Sequence, residues 1–196
     1  MHSYLRFSLP FLAVSLTAFA QPVTGIRNFD KVDDHVYRGG QPTDQGFREL
    51  AKFGVKVVID LREADDRGRA EERTVTATGM RYVNVPMTGL TPPRESEISK
   101  ILAILEDPKA GPVFVHCKRG ADRTGAVIGA YQISDHRWTN QQALKDALAH
   151  GMSFFEFRRQ GYVKNFQPRD LNAKAKEDTV AQVAATPAIA LPAARD

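Results

Sequence analysis

The sequence contains very little cysteine. Cys117 is the only cysteine among 196 residues, so the chain cannot form an internal disulfide. The fold must therefore rest on packing, and a hydrophobic content of 42% is sufficient for a sizeable core in a chain of this length. A lone thiol also has no second thiol in the chain with which to form a disulfide, so it can remain a reactive cysteine.

A strong excess of one charge is also missing. The formal net charge is only +4, and no stretch alternates Lys or Arg with aromatic residues in the manner of a single-strand binder. We therefore expect no nucleic acid among the partners. The apolar stretch at residues 7–19 is too short to span a bilayer comfortably, so stable membrane insertion is not expected either.

The two ends of the sequence differ from its body. Residues 1–20 combine an early positive charge, Arg6, with that short apolar run and a small-residue exit, the pattern of a secretory signal peptide. We therefore predict an exported protein, periplasmic or secreted, whose mature chain begins near Gln21. Residues 173–196 are rich in Ala and Pro and are predicted to form a disordered tail. One domain remains between them, at residues 21–172.

Within that domain, short β-type runs alternate with helical periodicity. Strands are predicted over residues 35–38, 55–61, 82–86 and 111–116. Helices are predicted between Thr43 and Gly54 and over residues 66–78, 95–106, 123–134, 140–150 and 153–166. The high charge of residues 66–78 indicates a surface helix. The alternation predicts an α/β fold with a central, mostly parallel sheet flanked by helices.

The segment between the last predicted strand and the next helix has the strongest chemical signal. A strand–loop–helix turn aims backbone N–H groups and the positive helix end at one point, which suits a phosphate. The same field favours a thiolate at Cys117, and a thiolate can attack phosphorus. Arg123 can grip two phosphoryl oxygens as a bidentate fork. Thr124 can donate its hydroxyl to the sulfur, and Gly120 permits the turn.

This loop resembles the signature of the protein tyrosine phosphatase superfamily, with the dual-specificity branch the closer match, through His116, Cys117, Gly120, Arg123, Thr124 and Gly125. Residues 36–42 (VYRGGQP), the strand at residues 57–61 and the loop pair Lys118-Arg119 resemble the small atypical dual-specificity phosphatases of bacteria, plants and fungi. The resemblance implies the cysteine-phosphatase fold, Cys117 as nucleophile and Arg123 as the phosphate-gripping residue, without metal or cofactor. It also implies that the loop binds phosphate through Lys118, Arg119, Gly120, Ala121, Asp122 and Arg123.

The expected general acid is missing from its usual place. This family places an Asp on the loop after the preceding strand, but residues 87–97 contain only Glu95 and Glu97 as acids. Both are also placed to begin a helix, where acids favour the helix dipole. Asp122 is the alternative, because a carboxylate within reach of the leaving oxygen can protonate it. The sequence does not decide between this role and an ion pair of Asp122 with a basic residue, which could be Lys118, Arg119 or Arg38.

Several residues around the loop are given supporting roles. His116 is expected to orient the loop through hydrogen bonds, and Asp60 and Arg62 are expected to pair at the base of the site. Lys118 and Arg119 either add positive charge at the pocket mouth, which suits substrates with several phosphates, or face solvent.

Other conspicuous side chains receive structural interpretations. Trp138, Phe154 and Phe155 are assigned to the core rather than to a substrate platform. His136 and His150 lie too far apart, without partner ligands at suitable spacing, to predict a metal site.

The sequence therefore predicts a cysteine-dependent phosphatase that acts on phosphotyrosine or related phosphomonoesters through a phosphocysteine intermediate. Lys118, Arg119 and Asp122 also allow a phosphoinositide or inositol-polyphosphate phosphatase. The partner is accordingly a phosphorylated protein or a small phosphorylated metabolite. A third hypothesis is a phosphate-binding pseudophosphatase, motivated by the missing upstream Asp. Cys117 and Arg123 count against it, because binding alone needs no thiolate.

Overall fold

The computed structural model describes residues 23–88 and 91–168 of the chain. These residues form five strands: β1 (Asp30–Lys31), β2 (Val36–Gly39), β3 (Val57–Asp60), β4 (Arg81–Asn84) and β5 (Val113–His116). They also form six helices: α1 (Asp44–Lys52), α2 (Asp66–Ala77), α3 (Glu95–Leu105), α4 (Asp122–Ser134), α5 (Asn140–Ala149) and α6 (Phe157–Asn165). The predicted signal peptide and tail lie outside the described residues, so the domain boundaries stay predictions.

The strands form one sheet in the order β1-β2-β5-β3-β4. The strands β2, β5, β3 and β4 run parallel, and the short β1 pairs antiparallel with β2 at the edge. At the carboxyl end of the central strands, Gly39, His116 and Asp60 lie side by side. The predicted α/β fold is confirmed, and Cys117 lies at the carboxyl edge of the sheet, where ligands bind in open α/β folds.

Both faces of the sheet are buried, which explains the nearly continuous apolar runs in its central strands. Along β3, Val57 and Ile59 pack into one core with residues of α3 and α4. Val58 points to the opposite core, formed with α1 and α2. The α4 helix also packs against α5 and α6 in a third cluster, so it is buried along nearly its whole length.

Two helices begin after the capping residues that the sequence marks. The Thr43 hydroxyl accepts a hydrogen bond from the N–H of Gly46 at 3.1 Å and caps α1. At α5, Thr139 and Gln142 form a reciprocal capping box. Residues 153–156 are predicted to start the last helix, but they form a turn, and α6 begins only at Phe157.

The prediction that residues 66–78 form a surface helix is confirmed by α2, most of whose residues are exposed, but the buried face of the helix is unusual. Gly68, Glu71 and Val75, spaced three and four residues apart, face the interior. Only one of the three is a large apolar residue, so the sequence shows no apolar stripe. The Glu71 carboxylate can be buried on this inner face because Gln41, Arg62 and His116 contact its oxygens.

The assignment of Phe154 and Phe155 to the core is wrong. Their exposures are 73% and 81%, and they form an exposed aromatic group with Phe157. The turn before α6 causes this, because Gln160 holds the backbone carbonyls of Ser153 and Phe154 inward. Trp138 does pack, partly buried, against the third cluster. None of the helices in residues 23–88 and 91–168 is both long and apolar enough to cross a bilayer.

Candidate active site

Cys117 lies where the central strand meets a buried helix. It directly follows β5, and α4 begins at Asp122. The N-cap residue of α4, Ala121, provides no side-chain acceptor for the first N–H groups of the helix. These groups and the positive helix end are therefore available to an anion bound in the loop.

The environment of Cys117 favours the thiolate. The thiol is buried, and burial alone would raise its pKa. The nearby hydroxyl and N–H of Thr124 oppose burial, together with the charge of Arg123 and the N–H of Arg119. The net result lowers the pKa of Cys117 below the ordinary value for a thiol. Among the described residues, the buried Thr124 hydroxyl makes no hydrogen bond, so its proton is available to the sulfur.

The loop is shaped by backbone contact with the segment after β2. Gly120 has a φ of +73°, and a Cβ on this residue would lie 2.4 Å from the carbonyl carbon of Gly39. The carbonyl oxygen of Gly120 accepts hydrogen bonds from Asn28 Nδ2 at 3.0 Å and from Arg38 Nη2 at 3.4 Å. Glycine is therefore required at position 120 for both its conformation and its space.

A polar network supports the loop from below. Arg38 is almost fully buried, and its Nη1 donates to Asp146 Oδ2 of α5 at 3.1 Å. The imidazole of His150 lies between Asp146 and Asp30, with Nε2 2.8 Å from Asp30 Oδ2. The Asn28 side chain also donates to the carbonyl of His150 at 2.9 Å. The carbonyl side of Gly120 is thus fixed by side chains from distant segments.

Arg123 is anchored through one nitrogen. Its Nη1 donates to the carbonyl oxygens of Met87 at 3.1 Å and Leu61 at 3.4 Å, in the segments that follow β4 and β3. Within the described part of the chain, all hydrogen bonds of this guanidinium start from Nη1. Nη2 and Nε are therefore left for two phosphoryl oxygens.

A buried ionic cluster lies behind Cys117. The expected pair is present: Arg62 Nη2 lies 2.7 Å from Asp60 Oδ2, and the Tyr82 hydroxyl donates to the same oxygen. Glu71 adds a second carboxylate, 2.6 Å from Arg62 Nη2 and 2.8 Å from His116 Nε2. Burial would lower the pKa of His116, but Glu71 and Asp60 outweigh it and raise that pKa. Burial would raise the pKa of Asp60, but Arg62 and His116 lower it.

Three members of this cluster also have the donor types of a metal site. The ligand atoms of Asp60, Glu71 and His116 lie within 4.8 Å of one another. Arg62, however, already places its guanidinium between the two carboxylates. A divalent cation there would be repelled by that charge, so the donor set fits an ionic network rather than a metal centre.

Asp122 is held by two donors. Its Oδ1 accepts from the N–H of Ser153 at 2.8 Å, and its Oδ2 accepts from Arg119 Nη2 at 2.5 Å. The ion pair with Arg119, one of the two interpretations left open by the sequence, is therefore present. A role for Asp122 as general acid stays a prediction. Lys118 and the Arg119 side chain are exposed at the loop surface.

The two upstream acids lie in the first turn of α3, as expected. Glu97 caps that helix, accepting from the N–H of Arg94 at 2.7 Å and from Arg94 Nε at 2.8 Å. Glu95 is the more exposed of the two.

Comparison with known proteins identifies the family of this chain. The family model described as "DSP-PTPase phosphatase fused to NAD+ Kinase" matches residues 19–165. The chain belongs to this DSP-PTPase family. A family of dual-specificity (DSP) phosphatases agrees with the resemblance that the loop around Cys117 shows.

Two relatives illustrate the range of the DSP-PTPase neighbourhood. The chain is 31% identical over 130 residues to the dual specificity protein phosphatase TpbA of Pseudomonas aeruginosa strain UCBPP-PA14, covering 66% of this chain and 57% of TpbA. It is 27% identical over 106 residues to the inositol diphosphatase DSP3 of Arabidopsis thaliana, covering 52% of each. The chain thus spans little more than half the length of these relatives.

Solved structures share the DSP-PTPase fold. The core catalytic domain of the PP-IP phosphatase SIW14 from S. cerevisiae, in complex with citrate, has a TM-score of 0.67 at 22% identity, covering 80% of this chain and 96% of that domain. A Cys-to-Ser variant of P. aeruginosa TpbA in complex with pTyr has a TM-score of 0.63 at 23% identity, covering 85% and 99%. These likenesses support the same sheet and helix arrangement around the loop.

Sequence reasoning missed several residues that shape this DSP-PTPase site: Asn28, Gln41, Glu71 and Asp146, and the buried position of Arg38. Arg38 and Gln41 belong to residues 36–42, which contribute to the family resemblance, so that resemblance could have indicated that they lie near the site. Asn28 and Asp146 reach the loop only through tertiary contacts. Glu71 stands among other charged residues, and nothing in its neighbours marks it as buried.

Proposed function

We propose that this protein is a cysteine-dependent phosphomonoester hydrolase that works through a phosphocysteine intermediate. The observation that carries the proposal is the setting of Cys117, a buried thiol with a lowered pKa before the uncapped amino end of α4 and near the charge of Arg123. Membership of the DSP-PTPase family supports the same activity. Because the chain covers only 57% of TpbA, this relationship supports the type of reaction but not a particular substrate.

The reaction consists of two displacements at phosphorus. The Cys117 thiolate attacks, an S–P bond forms, the P–O bond to the leaving group breaks, and the leaving oxygen takes up a proton. The Arg123 fork and the loop N–H groups stabilise charge on the equatorial oxygens. Water then attacks the phosphocysteine, the S–P bond breaks, and inorganic phosphate leaves. The Thr124 hydroxyl, which makes no other hydrogen bond among the described residues, donates to the departing thiolate and stabilises it.

Replacement of the nucleophile tests this mechanism. Cys117→Ser should abolish turnover of an aryl phosphate while retaining binding of phosphate or vanadate, because a hydroxyl at this site is a far weaker nucleophile than a thiolate. Turnover is measured by phosphate release and binding by calorimetry. Appreciable hydrolysis by the Ser variant would rule out the covalent intermediate.

We propose phosphotyrosine and related phosphomonoesters of proteins as the leading substrate class, supported by the name of TpbA and by its complex with pTyr. Inositol phosphates or phosphoinositides are the second class. They are favoured by the exposed Lys118 and Arg119 at the loop surface and by the inositol diphosphatase relatives.

Turnover of an aryl phosphate, a phosphotyrosine peptide and inositol polyphosphates, compared in parallel, separates these classes. Binding without turnover of any of them would indicate a pseudophosphatase.

We also propose that the protein is exported. The support is the sequence of residues 1–20 alone, with Arg6, a short apolar run and a small-residue exit. Amino-terminal sequencing of the protein from periplasm or medium should give a start at or near Gln21. An intact Met1 in the soluble cytoplasmic fraction would refute export.

A further inference from the structure

Glu71 is an internal carboxylate on a helix whose other charges are mostly exposed. Only 5% of the residue is exposed, although it lies in the middle of α2. Its neighbour Glu72 is exposed. An ionised carboxylate in such a place is tolerated only if its oxygens are paired.

The partners of Glu71 come from three different segments around Cys117. Oε2 accepts a hydrogen bond from Gln41 Nε2 at 2.5 Å and lies 2.6 Å from Arg62 Nη2. Oε1 lies 2.8 Å from His116 Nε2, which is an ion-pair contact rather than an aligned hydrogen bond, since neither atom has a hydrogen-bond partner among the described residues. Gln41 follows β2, Arg62 follows β3 and His116 ends β5, so one carboxylate joins the ends of three neighbouring parallel strands.

Each partner is in turn tied to the phosphate loop. The N–H of Gln41 donates to the carbonyl oxygen of Lys118 at 3.3 Å. The carbonyl oxygen of His116 accepts from the N–H of Leu61, the residue before Arg62, at 2.9 Å. His116 is bonded covalently to Cys117. A displacement of the Glu71 carboxylate is therefore passed to the loop at two points on its backbone.

The charges of the cluster balance only when Glu71 is ionised. The carboxylates of Asp60 and Glu71 face the guanidinium of Arg62 and the imidazole of His116, and the two carboxylates raise the pKa of that imidazole. Loss of the Glu71 charge would remove the principal partner of protonated His116. The residue immediately before the nucleophile would then lose both its charge and its anchor.

We propose that Glu71 is a positioning residue of the phosphate loop, whose carboxylate holds Gln41, Arg62 and His116 so that the loop keeps its N–H groups on the Cys117 thiolate. The inference rests on the proposed phosphatase function and deepens it. Glu71 touches neither the sulfur nor the substrate site, so its effect is indirect.

The test compares Glu71→Gln with Glu72→Gln, a matched change at the exposed neighbour. The first readout is the pH dependence of Cys117 alkylation by iodoacetamide, which reports one site because the chain has a single cysteine. We expect the alkylation midpoint of Glu71→Gln to move upward by about one pH unit, since misplaced N–H groups stabilise the thiolate less. Glu72→Gln should titrate like the unmodified protein.

The second readout is turnover of an aryl phosphate. Glu71→Gln should lower kcat by about 10²-fold, the usual scale for a small misplacement of reacting groups, with little change in KM. Glu71→Asp, which keeps the charge on a shorter side chain, should recover part of both effects. Thermal unfolding shows in every case whether the variant is folded at the assay temperature.

A wild-type alkylation profile and kcat in folded Glu71→Gln, with only a lower unfolding temperature, would overturn the proposal. If Glu71→Gln does not fold, Gln41→Ala decides. This variant should move the alkylation midpoint upward, and an unchanged midpoint would overturn the proposal. Because alkylation needs no phosphatase activity, it separates this inference from the proposed function, which fails if the unmodified protein hydrolyses no phosphomonoester.

Discussion

Asp122 is the residue whose role most affects the chemistry. It is the first residue of α4, next to Arg123, yet both of its carboxylate oxygens already accept hydrogen bonds, from Ser153 and Arg119. Expulsion of an alkoxide needs a proton, and residues 87–97 offer no Asp to supply it. Either Asp122 exchanges the Arg119 contact for the leaving oxygen, or the proton comes from elsewhere.

Leaving-group dependence decides between these roles. An aryl phosphate with an acidic phenol departs unprotonated, so we expect Asp122→Asn to change its turnover little. Phosphorylated aliphatic alcohols are poorer leaving groups, so the same variant should slow them by about 10²-fold or more. Glu95→Gln serves as the control and should be nearly neutral on both substrates. The opposite pattern, with the dependence in Glu95→Gln alone, would place the acid on the upstream loop.

Gly120 shows how one element shapes another. The loop before α4 presses its backbone against the segment after β2, and this close approach leaves no room for a side chain. A mutation here therefore acts on two elements at once.

We expect Gly120→Ala to lower kcat/KM by about 10²-fold, because the methyl group displaces the loop that positions Cys117. Gly54→Ala is a matched control, since Gly54 also has a positive φ of +87°, but a methyl group added there would meet no atom within 4 Å. That variant should lose about 1–2 kcal/mol of stability from backbone strain, with normal turnover. Urea unfolding and aryl phosphate turnover measure the two effects. Equal turnover by both variants would contradict the steric argument.

Elements defined by local patterns could be predicted from the sequence. The caps Thr43 and Thr139, the apolar runs of β3 and β5, and the loop around Cys117 depend on residues adjacent in the chain, and the structure places them as predicted. β1 was missed because a strand of two residues carries almost no pattern. The exposed Phe154 and Phe155 were misassigned because hydrophobicity alone does not show whether a side chain finds a neighbour.

The supports of the site were harder to predict for a physical reason. Glu71 reaches His116 across the fold, and Asp146 reaches Arg38 from a helix more than one hundred residues away. Such contacts depend on how the layers pack, which no local spacing encodes. The sequence singled out Cys117 and Arg123, whose roles as nucleophile and phosphate-gripping residue stay predictions, and it also predicted the pair of Asp60 with Arg62. The carboxylates of Glu71 and Asp146 were found only in the fold.

At the scale of the whole molecule, His150 links the first strand to the fifth helix and so makes stability depend on pH. Hydrogen bonding to Asp146 raises the pKa of His150, burial and Arg38 oppose this, and Asp30 adds to it, giving a value of about 9. The unfolded chain has an ordinary histidine pKa of about 6.5. The folded state therefore binds the proton more tightly, and this stabilisation is complete below about pH 6.5 and is lost as the pH rises through about 9.

Unfolding free energies measured at several pH values should show this loss in the unmodified protein and a flatter profile in His150→Gln. Asp30→Asn, which removes one partner without changing the histidine, should flatten the profile in part. Parallel declines in the unmodified protein and His150→Gln would assign the pH dependence to other groups.

Chelation tests the ionic cluster as a whole. Because Arg62 lies between Asp60 and Glu71, dialysis against a chelator should leave turnover unchanged. A thiol oxidant, by contrast, should abolish turnover, since Cys117 is the only thiol in the chain. Loss of turnover on chelation, with recovery on adding a divalent metal, would instead assign a cation to this cluster.

The Asn28 side chain also bears on when the protein becomes active during its synthesis. Its amide binds Gly120 and His150, which are 92 and 122 positions further along the chain. The contact with His150 can form only after the chain has been made past α5, because His150 is the residue that follows that helix, and it closes a loop that includes most of the domain. A nascent chain that has just passed Cys117 has the nucleophile but not the supports that shape its loop. If the protein is exported as proposed, the thiol remains an ordinary, weakly reactive side chain until the translocated chain folds.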